Sequence, residues 1–107
     1  MASKICIVGS SNIDQIAYVD STPSDGETVF GNEYKMGFGG KGANQAVMAG
    51  LMGAETYMIT CLGDDVYADM TIENYKKNGV NVDFIQKVSG SSGVAPIWVD
   101  SSGPVSY

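Results

Sequence analysis

A glycine-rich run between residues 37 and 42 constrains this chain more than any other feature, because it leads directly into a predicted helix. Four of these six positions are glycine. Glycine lets the backbone take positive φ and approach a ligand closely. The unpaired N–H groups of the helix's first turn would then favour a bound oxyanion or hydroxyl. Lys41 adds a charge and Asn44 an amide that both donates and accepts, so the run predicts a small-molecule site.

Short apolar runs on either side of the glycine run predict parallel strands. Residues 4–9 and 56–62 are typical of central strands covered on both faces. Helices are predicted over residues 41–52, ended by Gly53, and over residues 66–78. This alternation indicates an α/β fold, a Rossmann-like parallel three-layer sheet with crossover helices.

Other segments predict strands that follow one another without a helix between them. Residues 15–20 and 28–38 flank a turn-rich segment, and residues 80–88 and 93–99 form a further pair. Because the first two strands leave the main sheet, they predict a small β excursion beside it. Residues 101–104 predict a turn.

Composition excludes several classes of function. Twelve acidic and six basic residues give a net charge of −6, which argues against partners such as nucleic acid or an anionic membrane. No apolar run reaches the ~18 residues of a membrane span, and no signal peptide is visible, so we expect a cytoplasmic protein. The chain has no histidine, which excludes Ser-His, Cys-His and most zinc chemistry. Cys6 and Cys61 lie in apolar runs, which predicts buried free thiols, with a disulfide as the alternative.

Asn12 and Asp14 form a candidate binding pair in the polar turn predicted after the first strand. Residues two apart in extended chain share one face, and a carboxylate beside an amide can hold two adjacent hydroxyls. Ligands of parallel sheets bind at the carboxyl ends of strands, where the glycine run can also fold back. The alternative is an Asx-turn pair that only shapes the loop.

Two other motifs each have a functional and a structural interpretation. The glycines match the bare dinucleotide-binding fingerprint, but they do not follow the first buried strand, so this match is weak. Gly63-Asp64-Asp65 follows a buried strand and could be a magnesium or catalytic carboxylate pair. Either aspartate can equally well cap the second helix.

Several motifs together resemble the ribokinase branch of the PfkB sugar-kinase family. They are Gly26-Glu27-Thr28, Gly31, the run from Phe38 to Ala46, Gly53-Ala54 and Gly63-Asp64-Asp65. The resemblance extends from the first strand to Val99. It implies a ribokinase-like fold in which residues 15–38 and 93–99 form small β lid strands, so that residues 1–107 would be the N-terminal part of one ribokinase-like α/β domain.

The resemblance also implies roles for particular residues. Asn12 and Asp14 would hold sugar hydroxyls, and the glycine loop would close around the same sugar. The implied substrate-binding residues are Asn12, Asp14, Gly40, Lys41, Gly42 and Asn44, and Ala95 and Ile97 in the lid would touch the sugar. No catalytic residue and no metal ligand is expected in this chain.

Such kinases transfer the γ-phosphoryl group of ATP to a sugar hydroxyl, with Mg²⁺ and a monovalent cation such as potassium. The family's Gly-x-Gly-Asp motif and its nucleotide-binding segments are absent from these residues, since the chain ends at Tyr107, well short of such a kinase. We therefore expect ribose or a related sugar as ligand, no strong binding of ATP or ions, and no activity from this chain alone. We also expect a homo-oligomer formed through the lid strands or the exposed sheet edge. A Rossmann-like nucleotide-binding module and a non-catalytic, self-assembling fragment stay open as alternatives.

Overall fold

The computed structural model describes residues 3–106, with side chains through Gly103. Its elements in chain order are β1 (Lys4–Val8), β2 (Asn12–Tyr18), β3 (Glu33–Gly39), α1 (Lys41–Leu51), β4 (Glu55–Ile59), β5 (Cys61–Leu62), α2 (Val66–Lys77), β6 (Val80–Asn81), β7 (Gln86–Lys87), β8 (Gly93–Asp100) and β9 (Gly103–Ser106). No helix in this part of the chain is long and apolar enough to cross a membrane. The predicted α/β arrangement, with crossover helices between parallel strands, is confirmed.

The chain divides into two compact units. The first runs from the start of the described chain to Ile13 and resumes over Phe38–Gly93; the second comprises Asp14–Gly37 and the chain from Val94 onwards.

The first unit is built on a parallel sheet with the strand order β1-β4-β6. β1 and β4 pair in register from Lys4 opposite Glu55 to Val8 opposite Ile59. Both helices contribute to one core on this sheet, whose buried residues are Ala43, Ala46, Met58, Tyr75 and Val80. A shorter parallel pair, β5 with β7, extends the unit beyond Thr60.

The opposite face of this sheet is bare in the described part of the chain. Val8 is 76% exposed and Phe84 56%, and the Phe84 ring lies 6.0 Å from the ring of Tyr57. The prediction of a central first strand covered on both faces is therefore wrong, because β1 is an edge strand whose residues face the core only alternately.

The expectation of buried thiols is wrong for the same reason. Cys6 and Cys61 are both free and both exposed. Cys6 is the register partner of Tyr57, whereas its neighbour Ile7 opposes the buried Met58. Cys6 thus lies on the bare face, which an apolar run by itself does not reveal.

The second unit contains most of a four-stranded sheet with the order β3-β2-β8-β9. β8 and β9 are antiparallel and are joined by a turn at Ser101 and Ser102. The turn predicted over residues 101–104 is therefore shorter than expected, because strand β9 begins at Gly103. Pro96 lies in β8, whose pairing with β9 begins at the next residue, Ile97. The N–H that proline lacks is therefore not needed for the described pairing with β9.

Several strands begin or end at residues other than those predicted. Asn12 and Asp14 lie within β2 rather than in a polar turn, and the strand predicted over 28–38 begins only at Glu33. The strand predicted over 56–62 breaks at Thr60, where pairing changes from one sheet to another. The strand predicted over 80–88 is two short strands separated by a turn.

The helix ends follow the local signals closely. Gly53 and Gly79, beyond the two helices, have φ values of 91° and 78°, which glycine adopts without strain. Asp65 caps α2 by accepting a hydrogen bond from the Ala68 N–H at 3.0 Å.

Candidate functional site

The glycine run forms the junction between β3 and α1 and packs against the backbone that follows β1. Gly40 precedes α1 with a φ of 102°, and a Cβ there would overlap the Ser10 carbonyl oxygen and lie 2.9 Å from its carbon. A Cβ on Gly42 would lie 2.8 Å from the Gly9 Cα. Glycine is therefore required at 40 and 42 by the approach of two backbone segments, a requirement that exists without any ligand.

The first turn of α1 offers fewer free donors than expected. The Ala43 N–H donates to the Ser10 carbonyl at 3.2 Å, and the Asn44 N–H donates to the Gly40 carbonyl at 2.9 Å. The chain after β1 thus takes one of the first-turn donors that were expected to be unpaired. Within the described chain, the N–H groups of Lys41 and Gly42 are the first-turn donors left without such a bond.

Lys41 is the first residue of α1, and its side chain is exposed. A positive charge at a helix N-terminus is disfavoured by the helix dipole, and no acidic residue in the first turn offsets it. Helix stability therefore does not explain a lysine at this position. A role in attracting a ligand would explain it.

A pocket of about 390 Å³ lies between α1 and α2 in the first unit. Its lining residues are Asn12, Phe38, Gly39, Ala43, Asn44, Val47, Met48, Thr71, Asn74, Tyr75 and Asn78. Two predicted site residues, Asn12 and Asn44, are thereby brought to one cavity from different elements. The lining contains four asparagine amides and no acidic or basic side chain, and its other side chains are mostly apolar. The Asn78 amide already donates to Asn74, so Asn12 and Asn44 are the amides left to bind a ligand.

The remaining predicted residues lie elsewhere. Gly40, Lys41 and Gly42 adjoin this pocket in sequence without lining it. Asp14 lies in β2, two residues after Asn12. It belongs to the second unit, as do Ala95 and Ile97 of β8. Within that unit β2 and β8 are neighbouring strands, and Ile97 lines a small cavity of about 150 Å³.

The Gly63-Asp64-Asp65 motif has a structural explanation. Asp65 accepts hydrogen bonds from the N–H and the hydroxyl of Ser92, each at 2.7 Å, in addition to the helix cap. Asp64 accepts from the Gly90 N–H at 3.2 Å. These bonds to Ser92 hold the pKa of Asp65 below its usual range. No group of three or more potential metal ligands occurs among the described residues.

Sequence reasoning missed a buried group of hydroxyls beside the pocket. The Ser11 hydroxyl donates to Thr60 Oγ1 at 3.3 Å and shares a second, short hydrogen bond with the Tyr75 hydroxyl. Burial raises the pKa of the Tyr75 phenol. Ser11 lies 49 positions from Thr60 and 64 from Tyr75 in sequence, so no local pattern could have indicated the group.

Comparison with known proteins identifies the family. The family model for pfkB family carbohydrate kinases matches residues 2–106. The chain belongs to this family. Its resemblance to the ribokinase branch, taken from the motifs above, is thereby confirmed at the level of the family.

Several members of the pfkB family are close relatives in sequence. The chain is 44% identical over 99 residues to a deoxyribokinase of Salmonella typhi, covering 92% of this chain and 32% of that protein. It is 45% identical over 104 residues to a ribokinase of Dictyostelium discoideum, covering 96% of this chain and 33% of that protein. The chain thus spans about a third of the length of these curated relatives.

Solved structures of the family share the fold. A ribokinase from Thermotoga maritima superposes with a TM-score of 0.83 at 38% identity, over 100% of this chain and 36% of that one. The Arabidopsis thaliana ribokinase complexed with ribose and ATP gives a TM-score of 0.89 at 29% identity, with the same coverage. The ribokinase-like fold predicted from the motifs is therefore confirmed.

Proposed function

We propose that this chain is the N-terminal sugar-binding portion of an ATP-dependent, ribokinase-like sugar kinase. The whole enzyme would transfer the γ-phosphoryl group of ATP to a hydroxyl of ribose or a related sugar. The observation that carries the proposal is the pairing of Asn12 and Asn44 on one uncharged pocket, in a chain of a carbohydrate-kinase family.

The proposed site uses each residue for a distinct interaction. The amides of Asn12 and Asn44 would donate to and accept from sugar hydroxyls, and Asp14 would accept from a vicinal pair. The free N–H groups of Lys41 and Gly42 would bind a hydroxyl oxygen, and the Lys41 ammonium would add a charged donor. Ala95 and Ile97 would be the lid residues that touch the sugar.

ATP, Mg²⁺ and a monovalent cation would serve the whole enzyme rather than this chain. The relative from Arabidopsis thaliana was solved with ribose and ATP. The pocket described here does not fit a nucleotide triphosphate with its metal, because no cationic side chain lines it and the described residues form no metal-ligand cluster.

The proposal is tested first by a ¹⁵N-HSQC titration of the chain with ribose, with glucose as the control sugar. We expect ribose to shift the resonances of Asn12, Asp14 and the loop from Gly39 to Asn44. Asn12→Ala and Asn44→Ala should each weaken binding about fivefold, the effect of losing one or two hydrogen bonds. Asn81→Ala is the matched control, since its amide bonds Asp83 outside the pocket. A spectrum that does not change on addition of ribose, or equal chemical-shift changes with glucose, would contradict the proposal.

A second test concerns catalysis by the chain alone. Phosphoryl transfer depends on positioned charges around the γ-phosphate, and we expect no ribose-dependent release of ADP from ATP. Lys41→Ala supplies the background. Ribose-dependent ADP release above that background would show that this portion is itself a kinase.

A further inference from the structure

The buried hydroxyls of Ser11, Thr60 and Tyr75 join three elements at one point. Their residues are 7%, 7% and 1% exposed, and they follow β1, follow β4 and lie in α2, respectively. A buried hydroxyl is costly unless it is hydrogen-bonded, so each of the three depends on the others remaining in place. The group therefore specifies one position for Ser11.

The chain before Asn12 is also held from the side of α1. The Ser10 carbonyl accepts the Ala43 N–H, and Gly9 lies in close backbone contact with Gly42. Ser11 is thus fixed by backbone contacts to α1 and by side-chain contacts to Thr60 and Tyr75. The next residue, Asn12, lines the pocket.

The Asn12 side chain occupies space that only a glycine neighbour provides. A Cβ on Gly93 would lie 2.6 Å from Asn12 Oδ1, well inside van der Waals contact. Gly93 does not have a positive φ, so its backbone would accept alanine without strain. The need for glycine at 93 is therefore a need for room beside the Asn12 amide.

We propose that Tyr75 is a positioning residue for the pocket: its phenol, acting through Ser11, sets the direction of the Asn12 amide, and Gly93 leaves the space that this direction requires. The proposal rests on the proposed sugar site for its binding readout. Tyr75 is not required to touch the sugar for this role.

The test uses the whole 107-residue chain and its Tyr75→Phe variant. Three-bond couplings at Asn12 report its χ1 rotamer, and a ribose titration reports the dissociation constant. We expect wild type to hold one Asn12 rotamer and Tyr75→Phe to populate several, with a dissociation constant about fivefold higher. Tyr57→Phe is the matched control, because that phenol donates to Glu55 on the exposed surface, and we expect it to change neither quantity.

Two further variants keep the test decisive if Tyr75→Phe fails to fold. Ser11→Ala removes the link itself, so it should reproduce the Asn12 averaging, and adding Tyr75→Phe to it should have no further effect on binding. Gly93→Ala should displace the Asn12 amide and weaken ribose binding with an unchanged free energy of unfolding, because only the end of a side chain must move.

The outcomes separate the two proposals. If Tyr75→Phe lowers stability but leaves the Asn12 rotamer and ribose affinity unchanged, the phenol serves only the core and the positioning role is refuted. If wild type binds no ribose, the proposed function fails, while the Asn12 rotamer in the ligand-free chain still decides the positioning role.

Discussion

Replacing Gly40 by alanine tests the packing of the glycine loop most directly. The residue has a φ of 102°, and its added Cβ would meet the Ser10 carbonyl and lie 3.1 Å from the Ser11 Cα. These are backbone atoms in the segment that leads to Asn12, so they cannot rotate away as a side chain would. Both backbone strain and steric overlap must therefore be relieved by moving the chain.

The two contributions can be separated by other glycines of the same unit. A backbone conformation with positive φ costs a non-glycine residue about 1–3 kcal/mol, and overpacking adds about 1–3 kcal/mol. Gly53→Ala, with a φ of 91° and no atom within 4 Å, carries only the strain. Gly42→Ala carries only the overlap, offset by about 1 kcal/mol of improved helix propensity. We expect Gly40→Ala to lower the free energy of unfolding by about 2–6 kcal/mol, a large part of the roughly 5–15 kcal/mol that stabilises a typical domain.

Urea unfolding followed by far-UV circular dichroism measures these differences. The expected order of destabilisation is Gly40→Ala first, with Gly53→Ala and Gly42→Ala each clearly smaller. If Gly40→Ala and Gly53→Ala agree within about 0.5 kcal/mol, the usual limit of additivity, the close approach to Ser10 contributes nothing and the reasoning is refuted.

Because the pKa of Asp65 is lowered, its stabilising bonds to Ser92 are fully present above the ordinary carboxyl pKa of about 4 and are lost as pH falls through the lowered value. In acid unfolding experiments, Asp65→Asn should therefore lose less stability than wild type over that pH range. Equal losses in the two proteins would contradict this. Cys6 and Cys61 should both react with Ellman's reagent without denaturant, because both are exposed. A thiol that reacts only after denaturation would contradict this exposure. We also propose self-association through the lid strands or the exposed β1 edge, so light scattering at high protein concentration should give a mass above that of one chain, and a monomer mass with a native spectrum would contradict this.

Local chemistry made the helices and part of the candidate site predictable. The start of α1 at Lys41, the glycines with positive φ after each helix and the Asp65 cap all depend on residues close in sequence. The convergence of Asn12 with the glycine loop was also predictable, because parallel strands present their carboxyl ends at one edge. The motifs of the loop were sufficient to indicate the carbohydrate-kinase family.

Burial and strand pairing required the tertiary structure. An apolar run such as that of β1 is compatible with one covered face or two, and only the packing of both helices on one side left Cys6 exposed. The break at Thr60 arises because β4 and β5 pair with different partners. Neither outcome depends on the neighbours of these residues in sequence.

The sequence by itself determined the helix ends and the parallel α/β arrangement, and it was sufficient to propose the residues that would hold a sugar, since each depends on local conformation or on a short motif. Only the tertiary structure decided why the loop must contain glycine, which is the approach of Gly40 and Gly42 to the backbone after β1. It alone also joined Tyr75 to Ser11. Contacts between residues so far apart form only when the sheet and helices pack, and no periodicity along the chain encodes them.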